Sequence, residues 1–205
     1  MNTERTIIPT YVYTEMTPNP SSLKFVADRA VIPQDKIAEF NSGAEADGAS
    51  TLATELFRFP FVKGVFIMSN FVTVSKSEDI EWEMVKNEVR EHIQRFLMQN
   101  QWAVEENFEG QVHEEGQDTP LPLAEHKVGG ELEQKIADLL DEYVKPAVER
   151  DGGIIQLESF SNGTVTVNLR GACSGCPSST VTLKDGIENL LKSMLPEVNE
   201  VVALT

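Results

Sequence analysis

Residues 104–128 divide the chain into two parts, because this stretch has neither the apolar period of a helix nor that of a strand. It contains two prolines, two glycines, seven acidic residues and one basic residue. Such a composition is typical of a flexible spacer, since it offers little apolar surface for a core. We therefore expect two small domains, residues 1–103 and 129–205, joined by an acidic linker over residues 104–128.

The pattern after the linker predicts a compact α-β-β-α-β domain. Apolar residues recur at helical spacing over residues 131–149 and again from Pro177 to about Met194. Between these helices, two alternating runs flank Asn162-Gly163, and an Asn-Gly pair in that setting is typical of a tight β-hairpin. The closing stretch EVVAL predicts a third strand.

The first domain also mixes strands and helices, so the predicted fold class is α/β of the α+β type throughout. The strands are YVYTE, SLKFVA, VKGVFIM and FVTVSK, and a long helix covers residues 79–101. Shorter helices are predicted at Gln34–Phe40 and Ser50–Phe57, with an exposed loop over residues 41–50. Seven of the ten phenylalanines lie between residues 25 and 71, which indicates an aromatic core that belongs to this domain alone.

The charge of the chain excludes some classes of partner. With 33 acidic and 17 basic residues the net charge is −16, whereas nucleic acids and anionic membranes select basic surfaces. No apolar run approaches the roughly 18 residues of a membrane-spanning helix. The first residues lack the pattern of a signal or transit peptide, so we expect a cytoplasmic, bacterial protein. A mitochondrial protein from which a transit peptide has been removed fits the same pattern.

Cys173 and Cys176 are the two cysteines of the chain, and they lie in the motif GACSGCPSS. Two-residue spacing lets both sulfurs reach one metal or close a disulfide. Gly171 and Gly175 permit positive backbone φ angles beside them. Pro177 suits the first position of a helix, whose N-terminal partial charge favours thiolate over thiol.

On residue chemistry alone, several uses of this cysteine pair remain open. A thioredoxin-like redox pair would follow a strand in a βαβ unit, but here the motif follows a hairpin. A structural zinc site and a [4Fe–4S] cluster each need four ligands, and one chain has two cysteines and no nearby histidine. A metal or cluster site therefore implies two chains that donate two thiolates each. A turn without chemistry is the remaining alternative.

The C-terminal residues resemble a known family at this point. The order of DGG, a hairpin, GACSGCPSS and a helix is similar to the C-terminal domain of NifU, also called the Nfu domain. Two residues depart from that pattern: Lys145 stands where arginine is usual, and Ile154 stands where aspartate is usual. TEMTPNPSSLKF and FPFVKGVFIMSNFVTVSK in turn resemble the Nfu N-terminal domain, so the likeness covers nearly everything but the linker.

The resemblance implies an iron–sulfur cluster carrier rather than an enzyme. Cys173 and Cys176 would bind a [4Fe–4S] cluster between the subunits of a homodimer. The cluster would arrive from an upstream assembly scaffold and pass to apo iron–sulfur proteins. A thiol–disulfide oxidoreductase is the alternative function. Asp151, Gly152 and Gly153 are predicted to form a tight turn, and the first domain is predicted to dock partners.

Overall fold

The computed structural model describes residues 7–34, 36–112, 130–172 and 177–204. The chain forms two compact units, Met1–His113 and Glu114–Thr205. Both units combine helices with β-sheet, which confirms the predicted α+β class. Within the described ranges, no helix has the length and apolar character needed to cross a membrane.

The first unit is built on a six-stranded antiparallel sheet, whose spatial order is β1-β2-β5-β4-β3-β6. The strands are β1 (Val12–Met16), β2 (Ser22–Ala27), β3 (Lys36–Phe40), β4 (Val62–Met68), β5 (Phe71–Lys76) and β6 (Gln111–Val112). The helices are α1 (Gly43–Ala46), α2 (Thr51–Leu56) and α3 (Trp82–Gln99).

One face of this sheet forms the core with the helices. The buried stripe of α3 has the three- and four-residue spacing that its sequence pattern predicts, because such residues share one side of a helix. Its members are Trp82, Val85, Val89, Ile93 and Leu97. They share a single core with the alternate residues of β2, such as Leu23 and Phe25, which also point to one face.

The predicted helix at Gln34–Phe40 is wrong, because residues 36–40 form the strand β3. β3 pairs with β4, and Ile37 lies opposite Met68. Ile37 is 1% exposed, and so is buried although it points away from the core shared with the helices. Pairing and burial in a sheet outweigh a short segment's local preference for helix. The predicted exposed loop that follows contains the one-turn helix α1.

The first unit extends beyond residue 103, so the predicted start of the linker is too early. Val104 is 6% exposed within the core, and Phe108 packs against that core. β6 then pairs with β3, which ties residues 111 and 112 to the edge of the sheet. The rest of the predicted linker, residues 113–128, lies outside the described residues, and its role as a spacer stays a prediction.

The second unit has the predicted α-β-β-α-β order. Its elements are α4 (Glu131–Leu139), a π-helical turn (Leu140–Val144), α5 (Lys145–Arg150), β7 (Gly153–Ser161), β8 (Thr164–Gly171), α6 (Pro177–Met194) and β9 (Glu200–Leu204). The π-helical turn directly precedes Pro146, which has no N–H to continue an α-helical ladder. The helix predicted over residues 131–149 is therefore widened locally just before this proline.

The sheet of the second unit has the order β7-β8-β9, antiparallel in the hairpin and parallel between β8 and β9. At the hairpin turn, Asn162 and Gly163 both have positive φ angles, 52° and 85°, as the Asn-Gly pair predicts. Glu188 joins α6 to β9, since it accepts hydrogen bonds from Lys192 and from the Val201 amide. These hydrogen bonds lower the pKa of Glu188.

Two glycines of the second unit provide a matched test of this hairpin. A Cβ on Gly163 would lie 2.0 Å from Asn199 Nδ2, whereas a Cβ on Gly186 meets nothing within 4 Å. We expect Gly163→Ala to destabilise the unit by more than about 1 kcal/mol, because a positive φ and a clash combine. Gly186→Ala, inside α6, should stabilise it by about 0.5–1 kcal/mol. Hydrogen exchange of the β8 and α6 amides measures both, and equal protection in the two variants would contradict this description.

Arg29 holds the end of α3 in the first unit. Its guanidinium donates hydrogen bonds to the carbonyl oxygens of Leu97 (2.6 Å) and Asn100 (2.8 Å), and also to that of Gln101. Its Nε donates to Thr10 Oγ1 at 3.0 Å. The last carbonyls of a helix have no partner within the helix, so a cation there satisfies them and opposes the helix dipole.

We expect Arg29→Ala to lower the free energy of unfolding of the first unit by about 2 kcal/mol, since several charge-assisted hydrogen bonds are lost. Urea unfolding followed by tryptophan fluorescence measures this, because Trp82 and Trp102, the chain's two tryptophans, both lie in that unit. Arg95→Ala, an exposed position on α3, is the control and should change the value by less than about 0.5 kcal/mol. Equal unfolding midpoints for the two variants would contradict the role of Arg29.

Candidate metal centre

The predicted ligands Cys173 and Cys176 lie in residues 173–176, outside the described residues. The structure does describe both ends of this segment. On one side β8 ends at Gly171 and is followed by Ala172, which is 1% exposed. On the other side α6 begins at Pro177. The cysteine segment therefore connects a strand end and a helix start whose positions in the second unit are fixed.

Glycines fix the strand end that leads into the cysteine segment. Gly171 is paired with Gly153 across the hairpin, and the Ala172 amide donates to the Gly152 carbonyl at 3.1 Å. Gly152 and Gly171 have φ angles of 85° and 71°, in the region that favours glycine. The described chain thus stays attached to the sheet up to the residue before Cys173.

The predicted turn is present between α5 and β7 at Asp151 and Gly152, and Gly153 is already the first residue of β7. Its Gly152 amide closes the turn by donating to the Glu149 carbonyl at 3.0 Å. The contact between this turn and the strand end before Cys173 was not predicted from the sequence. The sequence did contain a signal for this contact. Glycine is typical of positions where two backbones approach closely, and Gly152, Gly153 and Gly171 all lie at such positions.

Ile154 and Arg170 are opposite each other in the hairpin, so their side chains share a face of the sheet. This face is the reverse of the core, which takes the neighbouring residues Ile155 and Leu169. Ile154 is fully buried and Arg170 is half-buried. Arg170 is thus a basic residue three positions before Cys173, and its cross-strand neighbour in the hairpin is apolar.

α6 contributes an electrostatic effect at the other end of the segment. The helix has 18 residues and begins at Pro177, directly after Cys176 in the chain. The partial positive charge at a helix N-terminus stabilises nearby anions, including thiolates. Proline in the first turn removes no hydrogen bond, because that N–H has no partner within the helix.

The histidines add no ligand to this region in the part of the chain that the structure describes. His92 belongs to the first unit, where its Nε2 lies 3.0 Å from Glu55 Oε2 and its ring meets the edge of Phe59. His113 and His126 are outside the described residues. Over the described ranges, no group of three or more His, Cys, Asp or Glu residues is placed to hold a metal ion.

Comparison with protein families gives a match for each unit. Residues 12–100 match the family described as scaffold protein Nfu/NifU N terminal, and residues 136–202 match the NifU-like domain. The order of the two domains agrees with the resemblance seen in the sequence motifs.

Similar curated proteins align with nearly the whole chain. The chain is 37% identical over 194 residues to "NFU1 iron-sulfur cluster scaffold homolog, mitochondrial" of Drosophila ananassae, a match that covers 93% of this chain and 63% of the relative. The protein of that name from Drosophila persimilis is also 37% identical, with 64% of it covered. The chain thus spans less than two thirds of these relatives.

A solved structure gives a weaker likeness. The NifU-like protein of Saccharomyces cerevisiae is 23% identical, with a TM-score of 0.43, and the match covers 52% of this chain and 92% of that one. The family assignment rests on the two domain matches, which together extend over more than half of the chain. The chain therefore belongs to the Nfu/NifU family, in which an Nfu/NifU N-terminal domain is followed by a NifU-like domain.

Proposed function

We propose that this chain is an iron–sulfur cluster carrier that binds a [4Fe–4S] cluster through Cys173 and Cys176. The observation that carries the proposal is the cysteine pair itself, set between a glycine-anchored strand end and the start of α6 in a chain of this family. The names of the curated relatives, which describe iron–sulfur cluster scaffolds, support it.

The number of ligands makes the carrier a dimer. A [4Fe–4S] cluster takes four thiolates, and the whole chain has two cysteines. The described residues add no clustered ligands that replace the missing thiolates. Two chains, each donating Cys173 and Cys176, complete the set, and the cluster lies at the interface of a homodimer.

The charges beside the cysteine segment suit an anionic cargo. Four thiolates give the cluster and its ligands a net negative charge, which is costly to hold without compensation. The N-terminus of α6 supplies positive potential directly after Cys176, and Arg170 is a basic residue three positions before Cys173. They stabilise the loaded state without adding ligands.

Transfer proceeds by ligand exchange. The thiolates of an apo-protein replace those of Cys173 and Cys176 one at a time, and the iron–sulfur core keeps its own bonds. An upstream assembly scaffold loads the dimer by the same exchange in the opposite direction. Because no substrate is chemically converted, the protein acts as a carrier and not as an enzyme. The first unit, with its own core, docks partners.

The cysteines must stay reduced for this chemistry, so we place the protein in a reducing compartment. The bacterial cytoplasm satisfies this requirement, and so does the mitochondrial interior that the names of the curated relatives indicate.

Anaerobic reconstitution with iron and sulfide tests the ligands. We expect about two irons per chain, the content of one [4Fe–4S] cluster shared by two chains, with broad charge-transfer absorbance. The double variant Cys173→Ala, Cys176→Ala should bind no cluster, because both thiolates are gone. Ser161→Ala, at the far end of the hairpin, should load like the parent chain.

Two outcomes would contradict the proposal. One is a cluster that survives in the double cysteine variant. The other is a metal-free protein that reversibly oxidises Cys173 and Cys176 to a disulfide and reduces insulin with turnover, which would establish the oxidoreductase alternative.

Deletion of residues 1–112 tests the division of labour between the units. The second unit has its own hydrophobic core, so we expect the remaining chain to bind a cluster with unchanged stoichiometry. Delivery to apo-proteins that need docking should slow, as measured by the rate at which an apo-aconitase regains activity. If cluster binding is lost while the second unit stays folded by circular dichroism, the first unit takes part in the site and the assignment is wrong.

A further inference from the structure

A cleft of about 550 Å³ opens on the first unit, away from the proposed cluster ligands in the chain. It is formed by the start of α2, the end of α3 and the segment that follows α3. The lining residues are Thr51, Phe96, Asn100, Gln101, Trp102, Ala103, Val104, Glu105, Glu106 and Asn107. Neither the proposed cluster chemistry nor the family motifs use this cleft.

Hydrogen bonds hold the walls of the cleft in place. Ser50 Oγ donates to the Ala103 carbonyl at 2.6 Å, and the Glu105 amide donates to the Ala49 carbonyl at 2.9 Å. Ala103 is 1% exposed and Val104 is 6% exposed, so this segment is anchored in the core. A cleft with such walls is preformed, so the protein loses little conformational entropy when a ligand binds.

The chemistry of the lining selects a cation. Glu105 and Glu106 provide two carboxylates, whereas none of the lining residues is basic. The half-buried Phe96 and Trp102 provide aromatic surface beside them. The carbonyl oxygens at the end of α3 add no further negative charge, because Arg29 already donates hydrogen bonds to those of Asn100 and Gln101.

The combination of an indole with carboxylates distinguishes between possible cations. No group of metal-ligating residues forms here within the described ranges, which disfavours a bound metal ion. A guanidinium is planar, stacks on indole and forms paired hydrogen bonds with carboxylates, which a simple ammonium does not. The net charge of −16 attracts basic protein surfaces at long range.

We propose that this cleft docks a partner protein through an arginine side chain in a basic segment. The guanidinium lies against Trp102 and is held by Glu105 and Glu106. The inference does not depend on the cluster, so its failure leaves the proposed function untouched.

The test uses the full chain and the peptide N-acetyl-Arg-Arg-Arg-amide as the probe. The indole N–H signals of Trp102 and Trp82 are followed by NMR during the titration, and Trp102→Phe identifies them. We expect the chemical shift of the Trp102 indole N–H to change during the titration and to reach a plateau as the peptide saturates the cleft. Trp82 is an internal control, because it is buried and its Nε1 has no hydrogen-bond partner among the described residues.

Two variants with equal charge separate a specific site from general attraction. The double variant Glu105→Gln, Glu106→Gln should weaken binding of the peptide about tenfold, because both carboxylates of the site are lost. Glu78→Gln, Glu88→Gln removes the same charge from exposed positions elsewhere on the unit and should change binding less than about twofold. An unmoved Trp102 signal, or equal weakening in the two variants, would overturn the proposal.

Discussion

The pairing of Gly153 with Gly171 determines where the chain leaves the sheet of the second unit. A side chain at Gly171 would be strained at its positive φ, and the Ala172 amide reaches the Gly152 carbonyl only because two backbones come close there. The hairpin register, the turn after α5 and the residue before Cys173 all follow from this contact. The proposed sharing of a cluster between two chains would benefit from such a fixed attachment, because the ligand pairs of both chains must be placed correctly.

The proposed division of work between the two units agrees with their separate cores. The first unit encloses one core between its helices and one face of its sheet, and Arg29 satisfies the end of its longest helix. The second unit has a core of its own that includes α6 and the hairpin. In the proposed function, a partner that docks on one unit would leave the core of the other unit unchanged.

Much of the fold was predictable, because it depends on local patterns. The Asn162-Gly163 turn and the stripe of α3 follow from residue type and spacing alone. The error at residues 34–40 arose because that segment's strand structure comes from pairing with β4, a contact distant in sequence. The linker boundary was misplaced for a similar reason, since acidic residues around Val104 and Phe108 concealed two apolar side chains that pack in the core.

The sequence predicts a chemistry for the candidate site, but it does not predict the surroundings that the structure describes. Cysteine spacing left several uses of the pair open, and the family resemblance implied the cluster; both ligands lie outside the described residues, so their role stays a prediction. Hairpin register determines that Ile154 lies opposite Arg170. It also determines that the turn at Gly152 contacts the strand end at Ala172. Spacing along one strand does not determine register across two strands.

The central claim is that two chains share one cluster. Native mass spectrometry of the anaerobically reconstituted protein tests it most directly, since it reports chain number and bound mass together. The account predicts a species with the mass of two chains plus one [4Fe–4S] cluster, and single chains without bound metal once the cluster is removed. A single chain that carries a complete cluster, or a dimer whose bound mass is zinc, would contradict it.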